Sequence, residues 1–474
     1  MRRSILAAPA SLATALLLAG CMVGPDYKGP PHPAPLAEAA QAFHRAPIAE
    51  ASAGPPVAHW WESLKDPELD RLVETALAHS PDVHAAEARL RQSRGLLRER
   101  RSDLLPTASA STGFLAADIP GGLVGGTSSS LKLYNAGFDA SWELDLFGGA
   151  RRAEESAAAQ AEAVQADLDD LRVSLAAETA QAYVALRDEQ QRQAIAETSA
   201  ELEQRMVDLA VQRRGQGVGS DLDLERLRGQ LESTRASLIP IQGDIDASLD
   251  RLAVLTGREP GALDAELLTA APLPELPVEV AVGDPADLLR RRPDIRAAER
   301  RLKADNAVVG QRTADLFPKL NLLGLIGWGS ADLTHMFDGT TSVAAPVLQW
   351  NAVDFGRTRA RIAQAKAGRD EAAAQYESVV LDALQDAETS LSRLGRARQD
   401  VVALARVKAS AEHAAALTRQ RQEAGVASTM DVLDTERTRL QAEQNLAAAR
   451  AQLDQAYVSL QKSLGLGWGA PAAS

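Results

Sequence analysis

The chain is predicted to be α+β, mainly α-helical and internally duplicated. Each half should carry a pair of membrane-type strands and then two very long antiparallel helices. Three features carry this prediction. The second half repeats the first: Pro81-Asp82-Val83 returns as Pro293-Asp294-Ile295, and Asp103-Leu104-Leu105-Pro106 as Asp315-Leu316-Phe317-Pro318, 212 residues later. Trp142 returns as Trp350, Phe147-Gly148 as Phe355-Gly356 and Gly217-Val218 as Gly425-Val426, each at a spacing of 208. Residues 134–146 alternate strictly, and glycine and proline are absent from residues 150–214.

The N-terminus reads as an export signal. Arg2 and Arg3 precede a mostly apolar stretch at residues 5–18, too short to cross a bilayer as a helix. It ends at Leu18-Ala19-Gly20-Cys21, the pattern of a lipobox, so residues 1–20 are the expected signal peptide and Cys21 the expected lipidation site. Cys21 is the only cysteine, which excludes an internal disulfide. The net charge of −13 leaves no electrostatic footprint for nucleic acid. No second stretch of 18 apolar residues exists, so a membrane crossing has to be made by strands.

Residues 21–59 form a Pro- and Ala-rich leader, expected to run extended. The first repeat is placed at 60–270, with its strand hairpin at 107–146 and its helical hairpin at 148–256. A proline-marked connector at 271–285 follows. The second repeat is placed at 286–465, with strands at 319–350 and helices at 356–464, and a tail occupies 466–474. Trp60-Trp61 should open the first helix, with Leu69, Leu72, Val73 and Leu77 along one face.

In the clearest strand, Tyr134, Ala136, Phe138, Ala140, Trp142, Leu144 and Leu146 alternate with Asn135, Gly137, Asp139, Ser141, Glu143 and Asp145. One face suits lipid; the other suits water, and Asp139, Glu143 and Asp145 are expected to line a barrel lumen. Gly121-Gly122 and Gly125-Gly126 mark the loop before it. The second half repeats the alternation less cleanly, through Leu320, Leu322, Ile326 and Trp328. Four strands cannot close a barrel, and an open edge in hydrocarbon strands backbone groups at several kcal/mol each. Several copies must therefore share one barrel. The uninterrupted helix should be about 100 Å long. Its return helix carries Leu224, Leu231, Leu238, Ile245 and Leu252 at heptad spacing, and the second carries Leu446, Leu453 and Leu460. Pro240 should kink the first return helix.

Three stretches are specific enough to be compared with a family: Cys21-Met22-Val23-Gly24-Pro25-Asp26-Tyr27, Trp60-Trp61-Glu62-Ser63-Leu64-Lys65-Asp66-Pro67-Glu68-Leu69 and Asp287-Leu288-Leu289-Arg290-Arg291-Arg292-Pro293-Asp294-Ile295. With the duplicated helix tips, they resemble the TolC-like outer-membrane efflux proteins, in the lipoprotein branch of NodT or OprM type. The resemblance implies a homotrimer whose shared outer-membrane β-barrel continues into a helical barrel through the periplasm. It implies acylation of Cys21, contact with outer-membrane lipid, and two protein partners: a periplasmic adaptor (membrane fusion) protein and an inner-membrane transporter of RND type. The implied function is the exit duct of a tripartite pump expelling small molecules such as drugs. The alternative is the outer-membrane component of type I protein secretion; the lipobox favours efflux.

At the helix tips, Gly217 and Gly425 suit a left-handed helix end. Ser220 and Ser428 are candidate N-caps of the return helices, with Asp221 and Thr429 as rivals. The resemblance assigns adaptor contact to Gly217, Val218, Ser220, Gly425, Val426 and Ser428. Asp431 and Asp434, three apart on one helix face, match aspartate rings at the family's periplasmic constriction, and Asp223 is the equivalent of Asp431. Ionised carboxylates gathered there should repel one another and raise some of their pKa values. Some family members close the tip with a tyrosine and an arginine, where Gln422 and Ala427 stand here. Leu433 and its apolar neighbours are then the expected plug.

Catalysis finds no support. His32, His44, His59, His79, His84, His335 and His413 are scattered without metal-ligand spacing, and no Gly-x-Ser-x-Gly elbow occurs. No cofactor and no resident metal are expected.

Overall fold

A computed structural model describes residues 22–40, 42–45, 51–52, 57–119 and 129–469. The expected signal peptide, Cys21 and the Gly-rich loop lie outside these residues.

In chain order the helices are α1 (Pro35–Ala39), α2 (Pro67–His79), α3 (Pro81–Ser102), α4 (Gly149–Gly215), α5 (Asp221–Leu255), α6 (Asp264–Leu267), α7 (Pro285–Arg291), α8 (Pro293–Ala314), α9 (Arg357–Glu423) and α10 (Thr429–Ser463). The strands are β1 (Ala51–Ser52), β2 (Thr107–Ile119), β3 (Ser129–Leu144), β4 (Val280–Ala281), β5 (Lys319–Ser330) and β6 (Thr340–Gln349). The duplication shows in lengths: α3 and α8 have 22 residues each, α4 and α9 have 67, and α5 and α10 have 35.

Two compact units emerge. The first comprises the described part of Met1–Pro31 with Arg89–Gln165 and Ala297–Glu377. It holds one antiparallel sheet in the order β2-β3-β5-β6. Each half ties its sheet to its helix by the same hydrogen bond: Trp142 Nε1 donates to Leu104 O at 3.0 Å, and Trp350 Nε1 to Leu316 O at 3.1 Å. An indole needs such a partner when one end is wet and the other apolar.

The leader is strapped to this unit. Val23 N donates to Phe147 O (3.1 Å), and Asn306 Nδ2 to Pro25 O (3.0 Å). Gly24 has φ +91°, and a Cβ there would lie 2.4 Å from Gly310 Cα. Glycine thus meets glycine where two backbones touch. Arg152, its side chain 2% exposed, lies across Gly310 and reaches Asp26 (2.6 Å) and Glu155 (2.7 Å).

The second unit comprises the described parts of His32–Ala88 and Ser378–Ser474 with Ala166–Arg296. Trp60 and Trp61 do not start an α-helix. They form a 3₁₀ turn ending in the left-handed Lys65 (φ +53°), and α2 begins after Asp66, whose carboxylate accepts from the Glu68 and Leu69 amides. Both indoles are buried, and Trp60 meets Tyr457 edge-on at 6.0 Å. The leader is less extended than its prolines suggest, since it forms α1 and buries Ala34 and Phe43. The tail is packed as far as Trp468, which lies beneath the Arg296 guanidinium at 5.1 Å.

Helix α5 runs unbroken through Pro240. Its heptad stripe changes there: Leu238 is half-buried, and Ile241, Ile245, Leu249 and Leu252 carry the burial onward. Leu224, Leu231, Ile245 and Leu252 keep the seven-residue spacing and are buried, so the heptad stripe is interrupted only at Leu238.

Candidate functional site: the sheet and the helix tips

The sheet register assigns each side chain to a face. Tyr134 and Phe138 lie opposite Phe114 and Ala110 on β2, and Tyr134, Phe138 and Trp142 lie opposite Ser330, Ile326 and Leu322 on β5. This face carries the aromatics, and Phe114 and Tyr134 stack with centroids 4.7 Å apart. The other face carries Ser109, Ser111, Asp139, Ser141 and Glu143. Asp139 accepts from Ser111 Oγ at 2.8 Å, and Glu143 pairs with Lys319 at 3.1 Å.

One expectation for this face is corrected. Asp145 does not extend it: β3 ends at Leu144, and the Asp145 carboxylate accepts from the Arg151 amide at 2.9 Å, capping the start of α4. Leu323, Leu325, Val343 and Val347 share this face with the polar groups.

Among the described residues, β2 and β6 have no partner on their outer edges. The exposed apolar groups beside the sheet follow the duplication. Phe147 stacks on Phe317 at 4.6 Å. Their repeat equivalents, Phe355 and Leu105, are 99% and 63% exposed.

The two helix tips end alike. Gly217 (φ +74°) and Gly425 (φ +77°) are left-handed. Val218 N donates to Arg213 O at 3.0 Å and Val426 N to Arg421 O at 2.9 Å, the six-residue closure of a Schellman end. Ser220 and Ser428, not Asp221 and Thr429, cap the return helices. Val218 and Val426 point outward.

Within one chain each tip acid has a local partner. Asp431 Oδ2 accepts from the Ser428 amide (2.7 Å) and hydroxyl (2.8 Å), completing a capping box. Those hydrogen bonds, backbone first, hold its pKa below the usual carboxylate value, with Arg421 and Arg213 adding to the effect. Asp434 pairs with Arg437 at 3.0 Å, and Asp223 with Arg226 at 3.8 Å. Leu433 is 9% exposed, packed within its own chain. Gln422 spans its own turn, donating to Thr429 Oγ1 at 2.9 Å.

Behind the tips the hairpins differ in chemistry. The first is sealed by Val207, Ala210, Leu224 and Leu231. The second is laced by ions: Glu436 pairs with Arg419 and Arg439, and Arg439 with Glu443. Arg439 stands where the first hairpin has Leu231, so comparing the two halves of the sequence could have found this ladder.

A sheet with an aromatic face, a wetter reverse and bare edges, joined to helices of 67 residues, defines the protomer of an outer-membrane channel. The chain belongs to the outer membrane efflux protein family, whose sequence profile matches residues 72–258 and 285–466. It is 29% identical to the outer membrane protein OprJ of Pseudomonas aeruginosa, over 97% of this chain and 95% of that one. It is 28% identical to nodulation protein T of Rhizobium leguminosarum bv. trifolii, over 96% of each. Among solved structures, the outer-membrane channel OprN matches with a TM-score of 0.86 and 37% identity, covering 94% of this chain and all of that one. The open-state MtrE channel of Neisseria gonorrhoeae matches with a TM-score of 0.82 and 26% identity, covering 94% and 98%. The protein is thus an outer-membrane efflux channel.

Proposed function

We propose that three copies of this chain close one barrel and serve as the exit duct of a tripartite pump that expels small molecules. The observation that carries this reading is the pair of bare edges on a four-stranded sheet. The duplication says how they meet. The β3–β5 seam pairs Ala140 with Gly324. Carried through the repeat offsets, the same seam between copies pairs Leu348 of β6 with Thr112 of the next β2. It also brings the exposed Phe355 against Leu105, as Phe147 meets Phe317 within the chain. Each copy then offers one β2 and one β6 edge, a head-to-tail contact that closes into a ring.

Relatives are named as outer-membrane components of toluene and antibiotic efflux pumps, which favours small molecules over secreted protein. In this reading the tips, with Gly217, Val218, Ser220, Gly425, Val426 and Ser428, receive a periplasmic adaptor, and an inner-membrane transporter of RND type supplies the cargo. Asp434 and Asp223, with Asp431, ring the periplasmic end. The chain is a duct and carries out no catalysis.

The test is oxidation of Leu348→Cys/Thr112→Cys protein in membranes. A covalent trimer is expected; cross-linking absent here but present at a shifted register rejects the proposed seam. The anchor has its own test. Cys21→Ser protein should take up no radiolabelled palmitate, and equal incorporation into both forms rejects acylation at Cys21.

A further inference from the structure

We propose that the polar face of the sheet contains a binding trough for amphipathic cations. This rests on the reading that the face lines the lumen, and it names a class of solute that pauses there.

The register places Ser109, Asp139, Leu325 and Val343 in one row across the four strands, and Thr107, Ser141, Leu323 and Ala345 in the next. Each row runs from hydroxyl and carboxylate groups on β2–β3 to aliphatic groups on β5–β6. All of these residues but Ala345 line a trough of about 360 Å³, within the range of roughly 300–1,000 Å³ typical of small-molecule sites. On its polar flank, Asp139 accepts from Ser111 Oγ, and among the described residues it has no cationic partner. Glu143, by contrast, is paired with Lys319. On the other flank, Leu323, Leu325 and Val343 are 45%, 41% and 52% exposed.

Lipid does not account for these aliphatic groups, because the aromatic face of the same strands is the one suited to lipid. The duplication makes the contrast direct. The first-repeat equivalents of Leu323, Leu325 and Val343 are Ser111, Gly113 and Asn135. One half therefore presents a wettable wall and the other an apolar wall, on the same face of one sheet. Aliphatic groups on a wetted wall gain free energy only when an apolar body covers them. A free carboxylate beside them selects for positive charge. Strands lie about 4.8 Å apart, so Asp139 and Val343, two strands apart, are separated by about 10 Å. A solute with a cationic end and an apolar body of that length satisfies both flanks at once.

The experiment uses the purified full-length protein in planar bilayers. Block of ionic current is measured with tetrabutylammonium, with tetramethylammonium (same charge, little apolar surface) and with hexanesulfonate (apolar body, opposite charge). Tetrabutylammonium should half-block at a concentration about tenfold below the other two. Asp139→Asn should raise its half-blocking concentration by about tenfold, and Leu323→Ser/Leu325→Ser should do the same without changing tetramethylammonium block. Val343→Thr, a near-isosteric change, supplies a third variant with a smaller shift in the same direction. Normal conductance with the same tetrabutylammonium block in wild type and all three variants overturns the trough alone. Absence of any conducting pore in the wild type overturns the duct reading and the trough with it.

Discussion

Replacing Arg152 by alanine should destabilise the sheet-bearing unit by about 1–3 kcal/mol, through the lost packing of its buried side chain and the lost charge-assisted hydrogen bonds to carboxylates that reach solvent. The Arg152 side chain is 2% exposed. Its loss leaves the Glu155 carboxylate without its cation, removes the tie to Asp26 and opens the space above Gly310. The leader is held here by Arg152 and by the contacts of Val23, Gly24 and Pro25, so it should come loose before the rest of the unit. Limited proteolysis should cut the variant near Asp26 under conditions that leave the wild type whole, alongside a lower melting temperature. Arg152→Lys keeps the charge but not the two-pronged geometry, and should fall between. A variant as resistant and as stable as the wild type would show that the contacts of Val23, Gly24 and Pro25 hold the leader without Arg152.

Asp454→Asn should make the protein more stable at pH 7.5 and flatten its dependence on pH. Asp454 is buried on α10, and one carboxylate oxygen has no hydrogen-bond partner. Burial pushes its pKa up to about 7, with Arg450 opposing. In the unfolded chain the group ionises near 3.8. Between those two values the folded state keeps a proton that the unfolded state has lost, so stability falls as pH rises through that window and is lowest above it. A shift of this size corresponds to about 4 kcal/mol. The amide still buries an unpaired polar group, so the net gain should be on the order of 2 kcal/mol at pH 7.5, vanishing toward pH 4. Glu189, raised to about 7, and Asp170, raised to about 6, both chiefly by burial, add to the wild-type slope. The quantity to measure is therefore the difference between variant and wild-type melting temperatures across pH. A difference that is constant with pH would place the proton elsewhere.

Much of the fold was legible in the sequence because the duplication states each element twice. Strand alternation at Tyr134 to Leu144 and the glycine-free run after Gly149 are local signals with one physical solution each. Leu323 and Leu325 are not legible as a site, because they break an alternation that Leu320, Leu322 and Ile326 otherwise keep. A two-sided apolar strand has no periodic signature. Asp145 looked like a strand residue because a helix cap and a strand end can share one parity. The tip acids were legible as a pair, but not the Ser428 hydrogen bonds that claim Asp431. Pairing with Ser428 depends on backbone geometry at a turn, which carboxylate spacing does not encode. Arg152 and Asp454 gave no signal, since burial of a single charged residue on a long polar helix depends on which segment crosses it.

The unequal flanks of the sheet also have a genetic consequence. Each copy gives one flank and receives another, so a single copy damaged at β6 leaves a slit in whichever ring takes it up. If sound and damaged chains were made in equal amounts and mixed freely, only about one ring in eight would be free of a slit. A lesion of that kind should act dominantly in a cell carrying both alleles. A lesion that merely unfolds its own chain before assembly would be masked by the healthy copy.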